Sequence, residues 1–266
     1  MARSQALVRA GELLWNARQQ GMVIESLPQD LRPLTRVEGY QIQSTIEARS
    51  SDPLFGWKVA ATSLAGQQHI NVTGPIAGRL LRECAHPSGS QLSLARNRMA
   101  VAEPEFAFRM GQDLLPKRQA YSAAEVLAAT ASLHPAIEVP DSRFADFTKA
   151  GEAQIIADNA CAHEFVLGAP APQSWRTTDL SVHRVNAQVS GLTRSYSRDG
   201  SGAAVLGNPL DALVWLVNEL SSLGITLHCD QVVTTGACTV PLEVKAGDQV
   251  VACFGEFGAV SASFGA

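Results

Sequence analysis

The chain has 266 residues, 46% hydrophobic and 17% charged, and its 21 Lys and Arg against 25 Asp and Glu give a formal charge of −4. That is a globular composition, which excludes disordered, collagenous and disulfide-stapled chains. No Lys/Arg stripe supports nucleic-acid or acidic-membrane binding, and no apolar run approaches the ~20 residues of a membrane span.

In chain order, helical spacing of Leu7, Ala10, Leu14 and Ala17 predicts a first helix, with Ser4 as its cap and Gly21 as its stop. A second helix is expected at Thr35, where Thr35 and Glu38 make a capping box ahead of Tyr40, Ile42 and Ile46. The helical pattern ends near residue 52, which divides the chain into an N-terminal helical portion, 1–52, and a strand-rich domain, 53–266. Beyond it, Ser122 and Glu125 open a helix expected to run until just before Pro135, and Asn208-Pro209 open another that Gly224 ends. Strands are expected at 101–108, 136–139, 165–167, 181–189, 232–235, 250–254 and 260–264. They do not alternate regularly with helices, which indicates an α+β fold.

The segment Val-Ala-Glu-Pro-Glu-Phe-Ala-Phe at 101–108 carries the most chemistry. In a strand, Glu103 and Glu105 share one face, roughly 7 Å apart, while Phe106 and Phe108 point to the other. Two carboxylates on an apolar strand repel and lose solvation unless a cation joins them, and hard oxygen ligands suit Mg²⁺ or Mn²⁺. A solvated polar face is the alternative for this pair. Pro104 between them lacks a ladder donor, so an edge or bulged strand is expected. Glu138, alone in the apolar run Ala-Ile-Glu-Val, becomes sensible if it joins Glu103 and Glu105 around one ion; it would otherwise be a surface residue or a partner for Arg143. Lys58 lies among Phe55, Trp57, Val59 and Ala60, a setting that lowers an amine pKa if the side chain is buried and leaves it unchanged if the ammonium snorkels to water. Asp158 and Asn159 stand before a strand, placed to orient water or Lys58, or to make an Asx turn. Thr235-Gly236 closes a strand where backbone N–H groups could hold a substrate carboxylate, or simply turn the chain.

Other patterns carry less. Gly200, Gly202 and Gly207 do not have dinucleotide-loop spacing, there is no G-x-S-x-G elbow, and the Cys/His pairs are too irregular for a zinc site. Five cysteines, odd and unevenly spaced, fit reduced thiols, and the charged N-terminus lacks a signal-peptide stretch, so a cytoplasmic protein is expected.

Seven blocks in order resemble the fumarylacetoacetate hydrolase superfamily, and within it the 2-oxopent-4-enoate (2-keto-4-pentenoate) hydratase/4-oxalocrotonate decarboxylase branch. They are 56–63 with Gln67, 74–81, 102–108, 135–144, 157–168, 202–220 and 234–250, and the likeness runs from about residue 7 to the C-terminus. The resemblance implies a helical N-terminal portion on a mixed β-sheet roll of the superfamily's C-terminal-domain type. It implies one Mg²⁺ (or Mn²⁺) on Glu103, Glu105 and Glu138, proton transfer by Lys58 with Asp158 in support, and substrate contacts from Gln67, Thr235 and Gly236. The substrate would be a small 2-oxo or 2-hydroxydienoic acid, hydrated in aromatic-compound catabolism. Decarboxylation of a 4-oxalocrotonate-like acid is the alternative, and C–C hydrolysis of an acylpyruvate a lesser one, because residues 1–60 hold no His. A catalytically silent assembly subunit is the non-enzyme alternative. A homo-oligomer, with or without a pathway enzyme as partner, also follows from the resemblance. One departure stands out: where related hydratases often carry an acid, this chain has Leu81-Arg82-Glu83.

Overall fold

The computed structural model describes residues 2–50 and 52–266; Met1 and Ser51, both within the expected N-terminal portion, lie outside the described residues. The chain opens with α1 (Arg3–Gln20) and α2 (Arg36–Ser44). Ala6, Leu7, Ala10, Leu14 and Ala17 form the buried stripe of α1, the spacing of a one-sided amphipathic helix. Ala2, not Ser4, takes the cap position, without a side-chain bond. The first turn is tied down instead by Arg3, whose guanidinium bonds Glu38 and the Arg32 carbonyl. Gly21 ends α1 at φ 62°, a conformation its missing Cβ permits. Thr35 caps α2 by accepting the Glu38 N–H.

Then come β1 (Gly56–Ala60), α3 (Leu64–His69), β2 (Ile76–Leu80), β3 (Ala85–Pro87) and β4 (Ser90–Ser93). The long β5 (Val101–Met110) is followed by α4 (Ala123–Ala129) and β6 (Thr130–Val139). After α5 (Phe147–Ala150) and α6 (Glu152–Ala157) the chain forms β7 (Glu164–Leu167), β8 (Arg184–Ser190), β9 (Ser195–Ser201) and α7 (Pro209–Ser222). It ends with β10 (Val232–Ala237), β11 (Leu242–Glu243), β12 (Gln249–Cys253) and β13 (Ala259–Gly265).

The strands make two mixed sheets among the described residues, consistent with the α+β expectation. The larger runs β2-β1-β10-β5-β6-β7-β3, with β11 also on β5. Its β1–β10 and β3–β7 pairs are parallel and the remaining neighbours antiparallel. The smaller runs β4-β13-β12-β8-β9. Phe106, Phe108, Leu133 and Ile137 of the larger sheet share one core with Val250, Ala252, Val260 and Phe264 of the smaller and with Leu213, Leu216 and Leu220 of α7. Each of the larger of these side chains contributes about 1.5–3 kcal/mol by leaving water. Burying Phe106 and Phe108 on one face of β5 fixes Glu103 and Glu105 on the other.

Three sequence expectations need correction. The helix capped by Ser122 and Glu125 forms with its full capping box but stops at Ala129, and residues 130–134 begin a strand that continues through Pro135. The expected strand at 181–189 starts at Arg184, because Asp179 caps a short 3-10 turn at 180–182. The strand carrying Pro104, expected as an edge or a bulged strand, is not an edge, since β5 lies between β10 and β6. Its ladder to β10 does break register beside Pro104, so only the edge half of that alternative is corrected. Proline is tolerated there because the Pro104 carbonyl, and with it the position lacking an N–H, faces the β10 side where that strand's register breaks, accepting from Cys238 N at 2.8 Å. Pro135 follows the same rule, its carbonyl accepting from Gly168 N just past the end of β7.

Candidate functional site

The register of β5 and β6 assembles the site. Glu103 pairs directly opposite Glu138, and Glu105 lies two residues on, opposite Ala136. One carboxylate oxygen from each of Glu103, Glu105 and Glu138 lies within 4.8 Å of the other two. Glu138 is fully buried and Glu105 nearly so, whereas Glu103 is half-buried.

Glu105 is held from β10. Its Oε2 accepts the Gly236 N–H at 2.8 Å and the Thr234 hydroxyl. Gly236 sits at φ 107°, and a Cβ there would lie 2.2 Å from Thr62 Oγ1. The register break between Thr234 and Ala237 turns that N–H toward the carboxylate. Glu105 Oε1 and both oxygens of Glu138 are buried with no hydrogen-bond partner among the described residues. Buried acceptors are normally satisfied, and these three belong to carboxylates of the one cluster. A hard divalent cation fits such a set of oxygen donors.

Lys58 of β1 completes the cluster. Its Nζ donates to the Ala160 carbonyl at 3.1 Å and faces Glu138 Oε2 at 3.5 Å. Burial pushes all three carboxyls up, Glu105 to about 7 with Glu103 adding repulsion, and Glu138 well above its ordinary value. For Lys58, burial acts to lower the pKa, as expected from its apolar neighbours, but Glu138, Glu103 and Glu105 outweigh it and the net direction is upward. Of the two sequence readings, the ammonium reaching water is overturned because the side chain is buried, and the lowered amine pKa is overturned because acids from β5 and β6 raise it instead.

Asp158 is buried, its Oδ2 accepting from Ser142 Oγ and Arg143 N at 2.7 Å each, and burial raises it to about 6. It opens the turn whose Ala160 carbonyl meets Lys58. Gln67, on α3, donates to the Ala61 carbonyl at 3.0 Å. Thr235 directs its hydroxyl to the Phe106 carbonyl, and the Gly236 N–H serves Glu105. Glu83 is exposed and accepts from Ser50 Oγ, while Arg82 lies over the Phe55 ring. Sequence reasoning passed over Thr234, although strand alternation puts it on the same face as Gly236. It also passed over the Ala160 carbonyl, for which no local pattern exists.

Known proteins share this framework. The chain is 34% identical over 224 residues to a 2-keto-4-pentenoate hydratase of Burkholderia vietnamiensis, covering 84% of this chain and 83% of that relative. A 2-keto-4-pentenoate hydratase of Paraburkholderia xenovorans is 32% identical over 242 residues, 90% of this chain and 87% of the relative. Among solved structures, 4-oxalocrotonate decarboxylase from Pseudomonas putida G7, complexed with magnesium and adipate, superposes with a TM-score of 0.86 at 27% identity, covering 99% of this chain and 98% of that one. No protein-family model matches the chain. Among the described residues no helix is long and apolar enough to cross a membrane.

Proposed function

The chain belongs to the 2-keto-4-pentenoate hydratase family of the fumarylacetoacetate hydrolase superfamily, and from that premise we propose a metal-dependent hydro-lyase. It adds water to a 2-hydroxy-2,4-dienoate to give a 4-hydroxy-2-oxo acid. The observation that carries this reading is the convergence of Glu103, Glu105 and Glu138, with three unpartnered buried oxygens, beside the Lys58 ammonium.

In this reading Glu103, Glu105 and Glu138 hold one Mg²⁺ or Mn²⁺, and a bound ion supplies Lewis-acid stabilisation of charge growing on the substrate's C2 oxygen. Lys58 moves the proton. As the dienol ketonises, the carbon chain takes a proton at C5 and the 2-hydroxyl loses one, which leaves a conjugated enone open to water at C4. The Lys58 ammonium also attracts the substrate's C1 carboxylate. Thr234 and the Gly236 N–H fix Glu105, so that this carboxylate does not reorganise during turnover. Asp158 anchors the turn that meets Lys58, and Gln67 and the Thr235–Gly236 segment border the substrate. We divide the chain at residue 52: the described part of 1–52 is a helical portion resting on a catalytic β-roll, 53–266, of the superfamily's C-terminal-domain type.

A decarboxylase is the second reading, carried by the superposition on 4-oxalocrotonate decarboxylase. The Mg²⁺-loaded protein incubated separately with 2-hydroxypenta-2,4-dienoate and 4-oxalocrotonate, with dienol absorbance and CO₂ release followed, separates the two. Loss of the dienol without CO₂ is the expected result. CO₂ from the second substrate alone would move the assignment to the decarboxylase, and no reaction with either would overturn both.

A further inference from the structure

Asn159, Ala160 and Cys161 are consecutive non-glycine residues with φ of 58°, 49° and 61°. The left-handed region crowds any L-residue with a Cβ, and Ala lacks the polar side chain that eases Asn into it. Three such residues in a row persist only where the surroundings fix them. All three are buried.

Contacts from three directions fix this turn. The Asn159 side chain lies on the outer edge of β2, the terminal strand of the larger sheet. Its Oδ1 accepts the Arg79 N–H at 2.6 Å and its Nδ2 donates to the Arg79 carbonyl at 2.8 Å. One carboxamide thus supplies both the acceptor and the donor that a neighbouring strand would offer. Beside it Gly78 admits the turn, because a Cβ there would lie 2.4 Å from the Asn159 carbonyl oxygen. On the far side, Asp158 accepts from Ser142 and Arg143, and the Cys161 carbonyl accepts the Asp141 N–H at 2.9 Å. The outcome is one carbonyl, that of Ala160, aimed at the Lys58 amine at 3.1 Å. A lysine stem has four rotatable bonds, so an amine that must stay beside Glu138 needs such an anchor.

We infer that Asn159 is a positioning residue: its side chain clamps the left-handed turn to β2, so that the Ala160 carbonyl holds the Lys58 amine beside the carboxylate cluster. This rests on the proton-transfer role proposed for Lys58. The turn contributes no atom to the chemistry and acts through where it puts that amine.

The test compares Asn159→Ala, which removes both clamp bonds, with Asn159→Asp, which keeps the acceptor for the Arg79 N–H. Leu220→Ala, in the α7 core, controls for lost stability. On 2-hydroxypenta-2,4-dienoate with saturating Mg²⁺, Asn159→Ala lowers kcat by roughly 30- to 100-fold, the scale of a 1 Å misplacement. KM and Mg²⁺ affinity stay within about threefold, because the carboxylates are untouched. Asn159→Asp falls between Asn159→Ala and wild type, and Leu220→Ala keeps its kcat below its own Tm. A readout independent of turnover is hydrogen exchange of the Lys58 ammonium in ¹⁵N-lysine-labelled protein, slow in wild type and fast in Asn159→Ala. Wild-type kcat in Asn159→Ala, an equal kcat loss in Leu220→Ala, or unchanged Lys58 exchange would each overturn the inference. A wild type that leaves the dienoate untouched counts against the proposed function instead, and the exchange measurement then decides the clamp by itself.

Discussion

Glu103 of β5 stands directly across the ladder from Glu138 of β6. Like charges so placed destabilise a sheet, and burial raises the pKa of both. A cation held by this set would offset that cost, since Lys58 supplies only one positive charge against three carboxylates.

Glu138→Gln removes one of the buried, mutually repelling carboxylates. The metal-free variant should be at least as stable as metal-free wild type. Mg²⁺ should raise the wild-type Tm and leave the variant's nearly unmoved; an ion at 100 times its Kd stabilises by about 2.7 kcal/mol. Turnover should fall at least ~100-fold, as it does when a charge-stabilising group is lost. Thermal unfolding with Mg²⁺ and with chelator reads the first two effects, and an undiminished Mg²⁺ shift in the variant would remove Glu138 from the site.

Lys58→Met keeps most of the side-chain volume and deletes the charge. Proton transfer of this kind contributes about 10²–10⁴-fold, so kcat should drop by that order. Without metal the variant should also lose up to ~3 kcal/mol, since breaking a buried ion pair strands its partner. That deficit should shrink when Mg²⁺ is added. Urea unfolding in the two conditions measures the difference, and a deficit that is the same with and without Mg²⁺ would mean that Lys58 and the ion do not share the same carboxylates.

The three carboxylates were legible in the sequence because each lies in a strongly apolar run, where strand alternation says which way it points. The meeting of Glu138 with the other two depends only on a local pairing of β5 with β6. What was not legible comes from long-range pairing. Thr234 and Gly236 reach Glu105 from β10, and the upward pKa of Lys58 depends on acids brought from two other strands. The end of α4 was missed because a capping box marks where a helix starts, and nothing as clear as a glycine marks Ala129 as its end. The left-handed turn at 159–161 has no signature either, since Ala at its centre is a poor left-handed residue and its holders, Gly78 and Arg79 of β2 and the 141–143 segment, are distant from it in sequence.

Gly236→Ala tests the holder of Glu105. The new Cβ would meet Thr62 Oγ1 at 2.2 Å and Thr62 Cγ2 at 2.8 Å, at a φ of 107° that alanine avoids. A loss of about 1–3 kcal/mol is expected from the strained backbone, together with weaker Mg²⁺ affinity as the 236 N–H leaves Glu105. Calorimetric titration of Mg²⁺ reads the second effect, and wild-type affinity in a destabilised variant would show that Glu105 does not need that bond.

His163 gives the pH dependence. Burial, with Arg18 and Arg143 nearby, pushes its pKa down to about 3, against an unfolded value near 6.5. The folded protein therefore binds fewer protons than the unfolded chain between those values. The stability His163 carries is complete above pH ~6.5 and is lost as pH falls toward ~3. His163→Asn should flatten that acid limb, read as the urea midpoint against pH from 7 to 4. An unchanged slope would mean that the imidazole is protonated in the folded state.

Whether turnover needs an ion on these carboxylates is decided by stripping the protein of metal with a chelator and following 2-hydroxypenta-2,4-dienoate as Mg²⁺ is titrated back. The stripped protein should consume none, and full activity should return when one ion per chain is bound. Glu105→Gln should not recover. Undiminished turnover by the stripped wild type, or full activity in that variant, would rule out a metal-dependent reaction at Glu103, Glu105 and Glu138.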